Sequence, residues 1–451
     1  MRIALVLGAG FSRAISDEMP LTDELGEEIR ARLPQVRLRT PRGFRNQYFE
    51  AWLSRLAEPQ PDLTAADNAT NQGLFLEVAQ ELHRVMQERE LLVLHDRPEW
   101  WLQRLVGIAH AVRATVITFN YDTLVERAVE YSVLSDWDPS NSQAKSFNLV
   151  RDIPPSPNRG GWIVDRGSPS FRLLKLHGSL DNYWVPGDLS GATIQRLPLS
   201  GRWGQPIPPS EQLRREQLPG REPFIVPPAA AKSSFYNNPI SRELWQSAAR
   251  ALADADRVAL VGYSLPQTDL VASGMLTDTV ARANVQVDVV NPDPSSIVRR
   301  LENLGIGGGN ISSIDGRTAI ASYTDQLERM VGRQVHALLA DADGSRSLMV
   351  GTSPYRTTRV VGFSRVGDAL RLVVDKVTHA EESTRLIPDQ RQSVVSVAEL
   401  QKELRDGDCI EIAFADGTST RIVSIAEWLT STGLGNGKWA ILIPSALPAP
   451  L

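Results

Sequence analysis

Five short segments of this 451-residue chain combine the residue types that handle a nucleotide or move a proton. Gly8-Ala9-Gly10-Phe11-Ser12 follows the apolar run Ile3 to Leu7. Its glycines allow backbone N–H groups to approach a phosphate, and the start of a helix adds positive potential. The same five residues also serve as a tight strand-to-helix turn. Asn120 and Asp122 follow the apolar run Thr115 to Phe119, where an amide and a carboxylate either meet a ligand or cap the next helix. His177, in Leu176-His177-Gly178-Ser179, ends the run Arg172 to Leu176. An imidazole exchanges its proton near neutral pH, though a lone histidine at a strand end also serves as a satisfied structural group. Gly262-Tyr263-Ser264-Leu265 and Asn291-Pro292-Asp293-Pro294 end two further apolar runs, Arg257 to Val261 and Val285 to Val290.

To bring these segments together, the chain needs a scaffold that places all five run ends on one edge. Short continuous apolar runs alternating with helical patterns predict an α/β fold, a Rossmann-like parallel sheet covered on both faces, with ligands bound beyond the carboxyl ends of the strands. About a hundred residues after the first glycine turn carry helical patterns, read as helical insertions. The plainest is Leu74 to Leu94, with apolar residues at three- and four-residue spacing. Ser241 is the expected N-cap of a helix ending near Asp254. Pro186 to Pro228, rich in Pro, Gly, Ser and Arg, predicts a long irregular excursion. Past Asp341 to Ser345 the character changes. Leu370 to Val374 and Ile410 to Phe414 predict half-buried strands, the second followed by a turn at Asp416-Gly417. Ser396 and Glu399 have capping-box spacing. The expected organisation is therefore a catalytic domain over residues 1–340 and a small β-rich C-terminal domain over 341–451.

Composition narrows the function. Forty-eight basic against fifty-three acidic residues give a net charge of −5, without the overall basic excess of a dedicated nucleic-acid binder. Arg202, Arg214, Arg215 and Arg221 in the irregular segment are expected to lie on a solvated loop, with a partner contact as the alternative. A single cysteine, Cys409, forms no internal disulfide and supplies no multi-cysteine zinc site. No apolar run approaches the roughly 18 residues that span a bilayer, so no membrane association and a cytoplasmic location are expected. A dehydrogenase fits poorly, because the glycine loop is not GxGxxG and helical sequence stands where a second strand would end in an acidic residue.

Taken together and in this order, GAGFS, TFNYD, LHGS and GYSL resemble the sirtuin family, in particular its bacterial SIR2-like branch in anti-phage defence proteins. Phe224 to Pro228, Leu244-Trp245, Ala255 to Pro266 and Met19-Pro20-Leu21-Thr22 also resemble that branch. The resemblance covers about residues 1–310. It implies NAD+ as the ligand, with Gly8, Ala9, Gly10 and Ser12 on the pyrophosphate side. Asn120 then meets the nicotinamide ribose, Asp122 the nicotinamide end, and His177 is the catalytic histidine. Gly262 and Ser264 match later phosphate and ribose contacts, and Asn291 an adenosine-ribose contact. Deacetylating sirtuins carry two cysteine pairs after the HG motif, whereas Asp181 to Pro223 has none here, so no zinc is expected. That difference favours simple NAD+ hydrolysis, by an effector of abortive infection, over protein deacylation or ADP-ribosyl transfer. A non-catalytic NAD+ or ADP-ribose sensor is the third alternative. The family further implies gating by homo-oligomer assembly, by a helicase-like ATPase or short Argonaute partner, or by a small-molecule activator. Trp184, seven residues past His177, is a candidate pocket wall.

Overall fold

The computed structural model describes residues 1–39, 49–96, 98–132 and 169–331, apart from 189, 198–200, 209–217, 230–237, 268 and 282–284. It also describes the backbone of short strands between 135 and 150 and of strands after 334. The strands that position the candidate site are β1 (Ile3–Leu7), β2 (Thr115–Thr118), β3 (Asn148–Val150), β4 (Pro169–Lys175), β5 (Gly178–Trp184), β6 (Glu222–Ile225), β7 (Arg257–Val261), β8 (Gln286–Val290) and β9 (Ile311–Ile314). Six of them form a parallel sheet in the order β9-β8-β7-β1-β2-β4, which the three-residue β3 extends beside β4. The chain runs outward from β1 through β2 to β4, then returns to lay β7 on the other side of β1. That reversal between β1 and β7 is the position where open α/β sheets form a crevice for ligands.

Alternation along β1 divides the sheet into two cores. Ile3, Leu5 and Leu7 pack with Phe11 and with the helices Thr22–Arg32, Ala65–His95, Trp100–Ala111, Leu124–Ser132 and Ala319–Val331. Ala4 and Val6 pack on the opposite face with the helices Pro239–Ala253, Leu270–Leu276 and Ser295–Asn303. With both faces covered, β1 and β7 read as continuous apolar runs, and each fully buried Leu, Ile or Val contributes roughly 1.5–3 kcal/mol.

Five of these strands fall where the apolar runs predict them. β9 does not, because Ile311-Ser312-Ser313-Ile314 has no continuous apolar signal; Ser312 instead donates to Asp288 Oδ1 (2.5 Å), a carboxylate also held by Arg257. β6 corrects the expectation of an irregular chain over Pro186 to Pro228. It lies inside that segment and pairs antiparallel with β5, which precedes it. The N-cap of the helix Pro239–Ala253 is Asn238 rather than Ser241. Asn238 Oδ1 accepts from the Ser241 N–H (2.8 Å), and Pro239 occupies the first turn where its missing N–H costs nothing. The helix predicted at Leu74 to Leu94 begins nine residues earlier, at Ala65, with Thr64 accepting from the Asp67 N–H. Within Pro186 to Pro228, short strands lie at Gln195–Arg196, Gly201–Arg202 and Gln205–Pro206, and Arg221 donates to Thr193 O (2.9 Å); Arg214 and Arg215 lie outside the described residues.

After residue 334 the described backbone is strand. Val335–Ala342 pairs antiparallel with Ser345–Ser353, with Asp341 opposite Arg346 and Ala342 opposite Ser345. Ala369–Val374 pairs parallel with Cys409–Ala413, which pairs antiparallel with Ser419–Val423. Ser396, Glu399 and Asp416-Gly417 lie outside the described residues.

Candidate functional site at the carboxyl edge of the sheet

The glycine loop is joined to the loop after β7 by direct backbone contact. Gly8 N–H donates to Val261 O (3.2 Å) and Gly10 N–H to Gly262 O (2.9 Å). Gly262 lies in the left-handed region at φ +60°, and a Cβ there would stand 2.1 Å from Phe11 N; a Cβ on Gly10 would stand 2.8 Å from Gly262 O. The crossing therefore admits only glycine at both positions. It commits the Gly8 and Gly10 N–H groups to the neighbouring loop, as Gly262 commits its own N–H to Val290 O (2.8 Å). Ala9 and Ser12 lie in the short helix Ala9–Ile15 that follows.

Ser12 links this loop to the end of β2. Its hydroxyl donates to Asp122 Oδ2 (2.6 Å) and accepts from Asn120 Nδ2 (2.9 Å), while Asn120 Nδ2 also donates to Gly8 O (2.8 Å). Both amide hydrogens of Asn120 are thereby committed to the protein. What the half-buried Asn120 retains for a ligand is Oδ1, an acceptor suited to a ribose hydroxyl or a water. Asp122 is buried and accepts further from the Leu124 N–H (3.3 Å). Burial pushes its carboxyl pKa up, against the opposing pull of Lys175 and the Ser12 hydroxyl.

Beneath this chain lies a second layer of buried charge. Lys175 Nζ, at the end of β4, donates to the carbonyls of Asp122 and Tyr121 (3.3 Å for the latter) and to Glu126 Oε1 (3.2 Å). Glu90, on the helix Ala65–His95, accepts from the Thr123 N–H (2.6 Å) and the Thr123 hydroxyl (2.7 Å). Both residues are legible in hindsight. Glu90 interrupts the stripe Val78, Leu82, Met86 and Leu94 at four-residue spacing, and Lys175 interrupts an apolar strand. A charge in such a place must find a partner.

His177 occupies different surroundings. It is 5% exposed and its ring packs on Phe119 (centroids 4.9 Å) and near Trp245 (6.3 Å), while Tyr263 stacks in turn on Phe119 at 4.6 Å. The His177 carbonyl accepts from the Val226 N–H (2.8 Å), and the Tyr121 hydroxyl donates to Val226 O (2.7 Å). Gly262 and the exposed Ser264 thus flank Tyr263 at this same edge. Leu265 is one of two non-glycine residues at positive φ among the described residues (φ +47°), a conformation costing roughly 1–3 kcal/mol, and Arg300 holds it by donating to the carbonyls of Ser264 (2.9 Å) and Leu265 (2.5 Å). Asn291 ends β8, accepts from the Asp293 N–H (3.2 Å) and donates its own N–H to Ile314 O, which makes it first a turn residue. Trp184 packs edge-on against Phe224 (5.1 Å) at the far end of β5.

The structure therefore brings Gly8, Gly10, Ser12, Asn120 and Asp122 into one bonded cluster, with His177, Gly262 and Tyr263 beside it through Phe119. No protein-family model and no curated protein sequence matches the chain. Among the described residues no group of three or more His, Cys, Asp or Glu is placed to hold a metal ion, and no helix is long and apolar enough to cross a membrane.

Proposed function

We propose that the chain is an NAD+ glycohydrolase, converting NAD+ to nicotinamide and ADP-ribose. The observation that carries this reading is Asn120. Its amide hydrogens are taken by Gly8 and Ser12, which leaves Oδ1 as the group it can offer a ligand, one residue from the ring that His177 packs against. Nicotinamide leaves NAD+ as a neutral ring from a cationic one, so the bond needs no acid. The demand is to stabilise an oxocarbenium-like ribose and to present one water to it, as in glycoside hydrolysis. Asn120 Oδ1 orients a ribose hydroxyl or that water, and His177 accepts the proton released. The pyrophosphate lies along Ala9, Ser12, Gly262 and Ser264, and the adenosine end toward Asn291.

The SIR2-like resemblance supports reading this activity as the effector of a bacterial anti-phage, abortive-infection system, acting in the cytoplasm. In this reading the expected C-terminal domain, residues 341–451, gates it through homo-oligomer assembly, a defence partner or a small-molecule activator. Moving such a gate from 1% to 99% active takes about 5.5 kcal/mol of differential binding.

Incubating the full chain with NAD+ across a protein-concentration series, with nicotinamide and ADP-ribose quantified, tests the reading. Equimolar release of both products, rising with assembly and requiring no protein acceptor, is expected. Retention of intact NAD+ at every concentration, or product formation only with an acyl-lysine peptide, overturns it.

A further inference from the structure

We propose that Glu90 is a positioning residue for the candidate reaction, a clamp that reaches from the helix Ala65–His95 to fix the segment carrying Asn120 and Asp122. The inference rests on the hydrolase reading for its kinetic consequence only. Residues 120–123 form the connection between β2 and the helix Leu124–Ser132, and such a connection has no ladder of its own to hold it. It is instead tied on three sides. Ser12 holds Asn120 and Asp122 from the glycine loop, Lys175 holds the Tyr121 and Asp122 carbonyls from β4, and Glu90 holds Thr123 from the long helix.

The Glu90 tie is the most directional. Its two oxygens each take one donor of the same residue, the N–H at 2.6 Å and the hydroxyl at 2.7 Å, so Thr123 is fixed in both position and rotation. The carboxyl is only 7% exposed, and the charged groups around it are Asp122 on the connection and Arg127 on the following helix. Burying a carboxyl beside a second carboxyl is unfavourable, and a structural role alone is served equally by an apolar residue in that stripe. The clamp has a use where sub-ångström placement of Asn120 Oδ1 decides a rate, since a misplacement of about 1 Å costs on the order of 100-fold.

The experiment compares Glu90→Ala and Glu90→Gln in the full chain, reading amide hydrogen exchange of the peptide covering residues 119–125 alongside steady-state NAD+ turnover. Glutamine keeps an acceptor for the N–H and a donor for the hydroxyl oxygen. Glu90→Ala is expected to raise exchange in that peptide at least about 10-fold while β8 keeps its protection, and to lower kcat roughly 10- to 100-fold with KM within about two-fold. Glu90→Gln restores both to within about three-fold of the parent. Unchanged exchange and kcat in folded Glu90→Ala overturns the inference, as does loss of protection spread equally over β8. If Glu90→Ala fails to fold, Thr123→Val removes the hydroxyl donor alone, and an unchanged kcat in that variant overturns it as well. If the parent chain consumes no NAD+, the hydrolase reading falls, and the exchange comparison alone decides whether Glu90 positions the segment.

Discussion

The two sides of Asn120 hold their neighbours by different forces. Toward Ser12 and Asp122, every side chain is fixed by directional hydrogen bonds in a buried chain of groups, backed by Glu90 and Lys175. Toward His177 aromatic packing is added: Phe119 and Trp245 lie against the imidazole, and Tyr263 stacks on Phe119. A hydrogen-bonded network specifies orientation but leaves a penalty at every broken link, whereas an aromatic cluster tolerates small shifts and lowers the local dielectric. The site therefore joins a side held by directional hydrogen bonds to a side packed by aromatic rings.

The largest effect that tests this division is on turnover. His177→Ala and Asn120→Ala are each expected to lower NAD+ hydrolysis about 10²–10⁴-fold in folded protein, assayed in the assembled state. Near-parental turnover in either variant breaks the assignment of its side of the site. The next effect is a pH dependence confined to the hydrogen-bonded side. Burial, together with the charge of Asp122, pushes Glu90 from the ordinary 4.5 up to about 7. The folded chain then holds this proton more tightly than the unfolded chain. Its contribution to stability is full below about pH 4.5 and is lost as pH rises through 7. Urea titrations should show the parent losing about 2–3 kcal/mol relative to Glu90→Gln between pH 5 and pH 8, and parallel curves would place the titrating group elsewhere. Smaller still, Ser12→Ala strands the Asn120 amide and the Asp122 carboxyl and is expected to cost about 1–3 kcal/mol in a denaturant titration. Phe119→Leu, a loss of ring contact with no polar group stranded, should cost only about 1 kcal/mol by the same measurement. A Phe119→Leu cost exceeding that of Ser12→Ala would invert the comparison.

How much of this was legible beforehand follows from the same physics. Strands covered on both faces announce themselves as unbroken apolar runs, so β1, β2, β4, β7 and β8 and the motifs at their ends were readable from residue types. β9 was not, because its Ser312 is satisfied by Asp288, a partner 24 residues away that no local pattern reveals. β5 and β6 were hidden for a related reason: their pairing lies across about forty residues of Pro- and Gly-rich chain. In the site, Asn120, Asp122 and His177 stood out as polar residues after apolar strands. Sequence could not say where the Gly10 N–H points, which is to Gly262 O. Glu90 and Lys175 were each visible as a charge in an apolar stripe, but their common target, the connection between β2 and the next helix, exists only in three dimensions.

The crossing of Gly10 and Gly262 has a consequence for the order of synthesis. β1 finds its partner β7 only after about 250 further residues have been made, which at roughly 5–20 residues per second is on the order of tens of seconds. A growing chain therefore presents Asn120 and His177 to the cell well before the loop that closes the site against Gly8 and Gly10 has left the ribosome. The cluster around Asn120 and the loop after β7 are therefore joined only late in synthesis, once the second half of the sheet has been made.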